Sequence, residues 1–250
     1  MTSNNIWLPP KPSKKTATQI EKKVVELNSR LNKIAKSHKN LVFSTSLAVD
    51  DMVLLDAIEK SSIQTRIFTL NTGKLPAETL AVLTRAQNQY SSFIEEVMPD
   101  HNDLEEFFRK YNDFSDIYNS VETRQNCCNI RKVLPLKRGL KDADAWITGR
   151  RRDQGVTRSD MGFVEKDKEH NLVKYNPLYD WSEELIWVYA QANDVPINEL
   201  HNCGFPSIGC EPCTRAVRIG EDIRSGRWWW ESADTKECGI HIHDDSPANN

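Results

Sequence analysis

LVFSTSLAVDDMVLLDAI, residues 41–58, is the stretch whose reading decides the fold. Leu41-Val42-Phe43 is a short continuous apolar run of the kind a buried parallel strand uses. Ser44-Thr45-Ser46 follows, and a helix-like run extends from Asp50 to Lys60. Small polar residues between a strand and a helix start offer hydroxyls and backbone N–H groups at a helix N-terminus, a natural seat for an anion. The plainer reading of the same residues is an ordinary capped strand-to-helix turn.

Moving outward, strand and helix signals alternate. Thr65–Leu70, Phe93–Val97 and Ala143–Thr148 read as further strands. Before the opening strand, Ile20, Val24, Val25, Leu27, Leu31 and Ile34 recur at helical spacing between about Ala17 and Ser37. Pro76-Ala77-Glu78 opens a helix, and Pro99 to Tyr118 is acidic, aromatic and helical in pattern. Lys174 to Tyr179 is polar and extended, and WSEELIWVYAQAN (residues 181–193) has the cap and periodicity of a helix. This alternation implies an α/β fold: an open, mostly parallel sheet flanked by helices. Ligands in such sheets sit outside the carboxyl ends of the strands. Two candidate anion loops fall there, one at Ser44 and one in Gly149-Arg150-Arg151-Arg152-Asp153-Gln154. The expected organisation is a flexible segment 1–16, an α/β nucleotide-binding domain 17–208 and a C-terminal segment 209–250.

Composition sets outer bounds. The 250 residues suffice for one large domain or two small ones, and a net charge of −3 argues against binding nucleic acid or a membrane surface through bulk field. MTSNNIWLPPKPSKK lacks the apolar core of a secretory signal, and no run approaches a membrane span. A cytoplasmic protein with reduced thiols is expected, so paired cysteines point to metal or redox chemistry.

Three of the six cysteines lie in Gly209 to His241. Cys210 and Cys213 form a CxxC, and upstream Cys127 and Cys128 are adjacent. Four thiolates can bind zinc or an iron–sulfur cluster. A tandem pair has short reach and suits a cuboidal cluster, where neighbours ligate different irons, better than one zinc. A disulfide or unrelated buried thiols are the bland alternatives. Cys203 fits neither pair and reads as a small buried hydrophobe. Cys238 reads as a separate thiol made nucleophilic by nearby cations, Lys236, His241, Arg224 and Arg227; an exposed tail cysteine without a role is the alternative. Arg131-Lys132, Arg150 to Arg152, Arg158, and the arginines around the CxxC form local cationic clusters in a slightly acidic chain. They suit an anion of several charges, or else they are solvated surface pairs. Trp228-Trp229-Trp230 reads as packing for the C-terminal segment.

Taken in order, FSTSLAVDDMVLLD, TLNTGKLPAETL, NCCNIRKVLPLKR, ITGRRRDQGVTR, KYNPLYDW, GCEPCTRAV, RSGRWWWE and KECGIH resemble the assimilatory adenylyl-sulfate (APS) reductases over about residues 41 to 241. The resemblance implies a fold like the adenine-nucleotide α-hydrolases, with a modified pyrophosphatase loop at Ser44 to Asp51. It implies a 4Fe–4S cluster on Cys127, Cys128, Cys210 and Cys213, and Cys238 as nucleophile. Lys132, Arg224, Arg227, His241 and Arg158 are implied on the substrate, with Ser44, Ser46, Thr72 and Gly73 as further nucleotide contacts. The loop lacks the usual glycines and lysine, as suits a protein that binds a nucleotide without cleaving ATP. Leu70-Asn71-Thr72-Gly73 stands where relatives often read LDTG.

The implied reaction is attack of the Cys238 thiolate on the sulfate sulfur of APS, giving a Cys S-sulfonate and AMP. Thioredoxin, or a similar dithiol, then releases sulfite. PAPS reduction, or dual specificity, is the first alternative, and related enzymes of that specificity usually lack the four cysteines. An ATP-pyrophosphatase-type transferase and a zinc-stapled, non-enzymatic binding module are the others. A homo-oligomer stays open.

Overall fold

The computed structural model describes residues 5–111, 114–154 and 158–232. Its frame is a six-stranded sheet in the order β3-β2-β1-β4-β6-β5, built from β1 (Leu41–Thr45), β2 (Arg66–Leu70), β3 (Ile94–Val97), β4 (Ala145–Ile147), β5 (Val164–Asp167) and β6 (Leu172–Tyr175). All pairings are parallel except that of β5 with β6. Phe43 sits in register with Ile67 on one side and Ile147 on the other.

Both faces of the sheet are covered, which is why β1 is apolar without a polar face. Leu41 and Phe43 point into the larger core, shared with α1 (Lys14–Ser37), α2 (Val49–Ser61), α3 (Ala77–Gln89) and α7 (Glu183–Ala192). Val42 points the other way, into a core with Phe68, Trp146, Leu136 and Leu140. The period of two along a strand produces this division.

The helices start and pack for legible reasons. Ser13 caps α1 by accepting from Thr16 N, so the helix begins earlier than its apolar pattern. Leu27, Leu31 and Ile34 then bury one stripe of α1. Asp56 on α2 is buried and accepts from Tyr189 Oη at 2.7 Å, Tyr90 Oη at 3.3 Å and Lys60 Nζ at 2.7 Å. That carboxylate joins α2, the end of α3 and α7.

Several elements differ from the sequence reading. The stretch 99–118 divides into α4 (His101–Lys110) and a 3-10 turn, Phe114–Tyr118. The chain then runs through α5 (Val121–Cys128), a π-helical turn (Asn129–Val133) and α6 (Leu134–Gly139). Within the segment 1–16 read as flexible, Trp7 makes tertiary contacts: its N donates to Val217 O at 2.9 Å, and its ring lies 6.4 Å from that of Trp187. Cys203, read as buried, is exposed at the end of a 3-10 turn. Among the described residues, no helix is long and apolar enough to cross a membrane.

The order of the strands creates the binding crevice. The chain lays β1, β2 and β3 in one direction, then returns to place β4 on the other side of β1. The loops at the carboxyl ends of β1 and β4 therefore diverge and leave a cleft between them.

Asp180 fastens α1 to the segment before α7. It accepts from Arg30 Nη1 at 2.7 Å and Lys23 Nζ at 2.8 Å. Burial alone would raise this carboxyl, but the bonds and charge of Arg30 and Lys23 prevail and hold it at about 2. A depressed acid stabilises the fold above its unfolded value and loses that contribution as pH falls through the folded one. Asp180→Asn is expected to cost about 1–2 kcal/mol at pH 7, an amount reduced for solvent screening. In urea titrations from pH 7 to 2, the gap between the two proteins should close below about pH 4.

Candidate active site

A cavity of about 270 Å³ occupies the crevice. Ser44, Thr45 and Ser46 line it from β1, Thr148 to Arg151 from β4, and Ala48 to Asp51 from the start of α2. The first turn of α2 has no side-chain cap, and Ala48 to Asp51 at its start line the crevice. Leu47 takes the place of a loop glycine with φ of 61°. A leucine in the left-handed region is strained, and here its side chain is 1 % exposed, so packing holds the turn.

Asp51 connects the two sides of the crevice. It accepts from Ser46 N at 2.6 Å and from Ser46 Oγ, and it receives a backbone hydrogen bond from Gly149. Burial pushes this carboxyl up to about 6, against those hydrogen bonds. Gly149 permits the approach, because a Cβ there would lie 2.1 Å from Asp51 Oδ1. Ser44 Oγ accepts from Trp146 Nε1 at 2.7 Å, which fixes the serine beside the cleft. Arg151 pairs with Asp50, and Arg158 donates to Gln154.

The second half of the site lies where three segments meet. Arg131 Nη1 donates to Thr72 O at 2.8 Å, Thr72 Oγ1 lies 3.3 Å from Cys210 Sγ, and Glu211 N donates to Lys74 O at 2.8 Å. These contacts draw the turn after β2, the π-helical turn and the CxxC together. Cys210 and Cys213 flank one 3-10 turn, with Cys213 N donating to Cys210 O at 3.0 Å. All four paired cysteines are 7–8 % exposed and belong to one buried cluster with Phe107, Ile117, Ile130 and Trp228. They line a single small cavity with Arg124, Arg131, Lys132 and Arg227.

This donor set fits a soft metal centre: four thiols, buried together, with cations around them. Among the described residues no three His, Cys, Asp or Glu side chains stand in an arrangement that could hold a metal ion. Burial and the neighbouring thiols Cys128 and Cys210 push Cys127 up to about 11, against the pull of Arg131. Burial, Cys210 and Cys128 push Cys213 up to about 12, against Lys132 and Arg227. These thiols therefore hold their protons unless a bound cation replaces them.

Lys132, Arg227 and Trp228 line both cavities. Arg227 is 7 % exposed, its Cζ lies 4.6 Å from the Trp228 ring, and it rests against Gly209, where a Cβ would meet Nη2 at 2.2 Å. Arg224 lines the larger cavity and is half-buried.

The structure thus brings together Ser44, Ser46, Thr72, Lys132, Arg158, Arg224 and Arg227 around the larger cavity, and the four cysteines around the smaller. Gly73 is exposed and does not line either cavity; its φ of 67° shapes the turn. Asn71 turns away from the crevice, giving Nδ2 to Glu96 Oε2 at 2.7 Å and taking Gly73 N at 3.1 Å. Cys238 and His241 lie outside the described residues. Trp7 and Glu183 border the cavity without having been singled out from the sequence, and Asp51 and Gly149 were read only as members of their loops. Asp51 carried a signal, since it stands in the first turn of the helix after the serine loop; Trp7 carried none.

A parallel sheet with a serine-rich loop feeding a helix N-terminus at its switch point defines a protein of the adenine-nucleotide α-hydrolase (PP-loop) fold class. Phosphoadenylyl-sulfate (PAPS) reductase from Candida auris, solved as a phosphate complex, superposes with a TM-score of 0.66 at 24% identity, over 82% of this chain and 99% of that one. Residues 40–216 match the phosphoadenosine phosphosulfate reductase domain, and the chain belongs to that family. The adenosine 5'-phosphosulfate reductase of Burkholderia cepacia is 48% identical over 224 residues, 90% of this chain and 89% of the relative. That of Neisseria meningitidis serogroup A is 46% identical over 237 residues, 94% and 97% of the two chains.

Gly149→Ala drives a methyl group into the Asp51 carboxylate and should force the β1 and β4 loops apart. Overpacking of this kind costs about 1–3 kcal/mol, and a shifted urea midpoint at unchanged m-value is the expected readout.

Proposed function

We propose that this protein reduces adenosine 5'-phosphosulfate to sulfite and AMP in sulfate assimilation, in the cytoplasm, with a dithiol protein of the thioredoxin kind as reductant. The observation that supports this reading is the shared wall. Lys132 and Arg227 belong both to the nucleotide crevice and to the pocket of four thiols. The printed names of the relatives agree with it.

In this reading the nucleotide lies across the carboxyl ends of β1 and β4. The α2 N-terminus and Ser44 and Ser46 take its phosphate. Thr72 borders the same cleft, and Arg158 closes the side near β4. The sulfate end faces Lys132, Arg224 and Arg227. Their charge offsets the repulsion between an attacking thiolate and the sulfuryl oxygens, and steadies the phosphate that leaves. The Cys238 thiolate attacks sulfur, an S–S bond forms, and the S–O bond to phosphate breaks with its electron pair going to AMP. One thiolate of the reductant then attacks Cys238 Sγ, and sulfite departs with the electron pair of the S–S bond. The second reductant thiol resolves the mixed disulfide and frees Cys238, so two electrons pass from dithiol to sulfur. The family resemblance puts His241 on the substrate as well.

Cys127, Cys128, Cys210 and Cys213 would hold a 4Fe–4S cluster. When bound, it supplies negative charge and a rigid frame beside Lys132. Four buried sulfurs lining one cavity with cations around them support this assignment.

Two measurements test the reading. Anaerobically purified protein should be brown, with iron and acid-labile sulfide near four each per chain if the cuboidal form is right; colourless protein holding zinc would leave a binding module in its place. Cys238→Ser should keep the chromophore and lower sulfite release at least about a thousandfold. Supplying the 3'-phosphorylated nucleotide in parallel separates the two substrate specificities. Gly209→Ala should displace Arg227 with the fold intact and lower kcat/KM for the sulfate nucleotide about tenfold.

A further inference from the structure

We infer that Trp146 is a positioning residue for the nucleotide: its indole N–H holds Ser44 Oγ so that the serine's own proton is directed into the crevice, toward an acceptor atom of the ligand. The inference rests on the reductase reading above and narrows the hydroxyl share of its phosphate seat to Ser44.

The strands set the geometry. Trp146 on β4 is in register with Val42 on β1. Ser44 stands two residues beyond Val42, so it shares that face of the sheet and is the diagonal neighbour of the indole. Trp146 Nε1 donates to Ser44 Oγ at 2.7 Å. The indole itself is fixed. It is 0% exposed, and the His170 ring meets it edge-on with centroids 5.9 Å apart. Lys174, its register partner on β6, places Nζ 4.5 Å from the ring centroid. Lys174 is also buried and lies 3.8 Å from Asp167 of β5, so the edge hairpin backs the ring.

The chemistry of the pair gives the bond a direction. An indole N–H can only donate, whereas a serine hydroxyl has one proton and two lone pairs. Trp146 therefore occupies a lone pair of Ser44 Oγ and restricts where the serine proton can point. Ser44 lines the crevice, which is the open side of that oxygen. Ser46, the other serine of the loop, is used differently: its N and its Oγ both donate to Asp51. One serine thus closes the loop and the other serves the ligand. Hydrogen bonds in a chain polarise one another, so Ser44 becomes a better acceptor for the indole once it donates to a nucleotide.

Trp146→Phe keeps a ring and loses the donor, and Ser44→Ala loses the hydroxyl. AMP affinity should fall about fivefold in the first and about tenfold in the second. The double variant should bind AMP within about twofold of Ser44→Ala alone, because Trp146 acts through that oxygen. A merely structural indole would weaken binding as much in the Ser44→Ala background as in the parent, and that result overturns the inference. With APS as substrate, the loss in both single variants should appear in KM more than in kcat. The indole N–H resonance of Trp146 supplies a readout that does not depend on Trp146→Phe folding. In isotope-labelled parent protein AMP should move it downfield, and in Ser44→Ala AMP should leave it in place. An unmoved resonance in the parent overturns the inference, as does Ser44→Ala that binds AMP as tightly as the parent. Parent protein that binds AMP but releases no sulfite from APS would instead overturn the reductase reading.

Discussion

Four thiols buried in one wall impose an electrostatic condition on everything near them. Burial and the neighbouring thiols raise the cost of ionising Cys127 and Cys213, and the apolar ring of Phe107, Ile117, Ile130 and Trp228 gives no solvent relief. The condition is met by cations placed at close quarters: Arg124, Arg131, Lys132 and Arg227 all border the pocket. These cations cannot be supplied from one element. They come from α5, the π-helical turn and the stretch before Trp228, so the fold must assemble the pocket from segments far apart in sequence. Lys132 and Arg227 then have a second use, because the far side of the same wall is the nucleotide crevice. Two cations of one wall thus border two neighbouring cavities.

The crevice adds carboxylates to the cations that line it. Asp51 spans from the β1 loop to Gly149, Asp50 holds Arg151, and Glu183 borders the cavity. The loop after β1 lacks the usual glycines and lysine, and packing sets its shape. Leu47 supplies the left-handed turn, and its buried side chain keeps the turn closed.

Much of the frame was legible in the sequence because apolar runs and turn residues carry it. β1 to β4, α1 to α3 and α7 all follow from period and punctuation, with ends adjusted by caps such as Ser13. β5 was missed because Val164–Asp167 is an edge strand whose residues are alternately exposed and half-buried, with no apolar run. The helix from Val121 to Gly139 was missed for a different reason. α5 buries Arg124, Cys127 and Cys128 in place of an aliphatic stripe, so its inward face looks polar. The cysteine pairs and the arginines were visible as residue types, yet their partners were not: no pattern announces that Arg124 meets Glu231 or that Trp7 reaches the crevice.

The π-helical turn after Cys128 sets the register of the helix that follows it. A wide turn accommodates one residue more than an α-helical turn in nearly the same length, and it shifts the angular phase of everything after it by about 100°. Cys127 and Cys128 lie before that phase change, and Arg131 and Lys132 lie within it. An uninterrupted α-helix carrying the same residues would rotate the two cations relative to the two sulfurs. The wide turn therefore sets which surface of the helix Arg131 and Lys132 share with the tandem thiol pair.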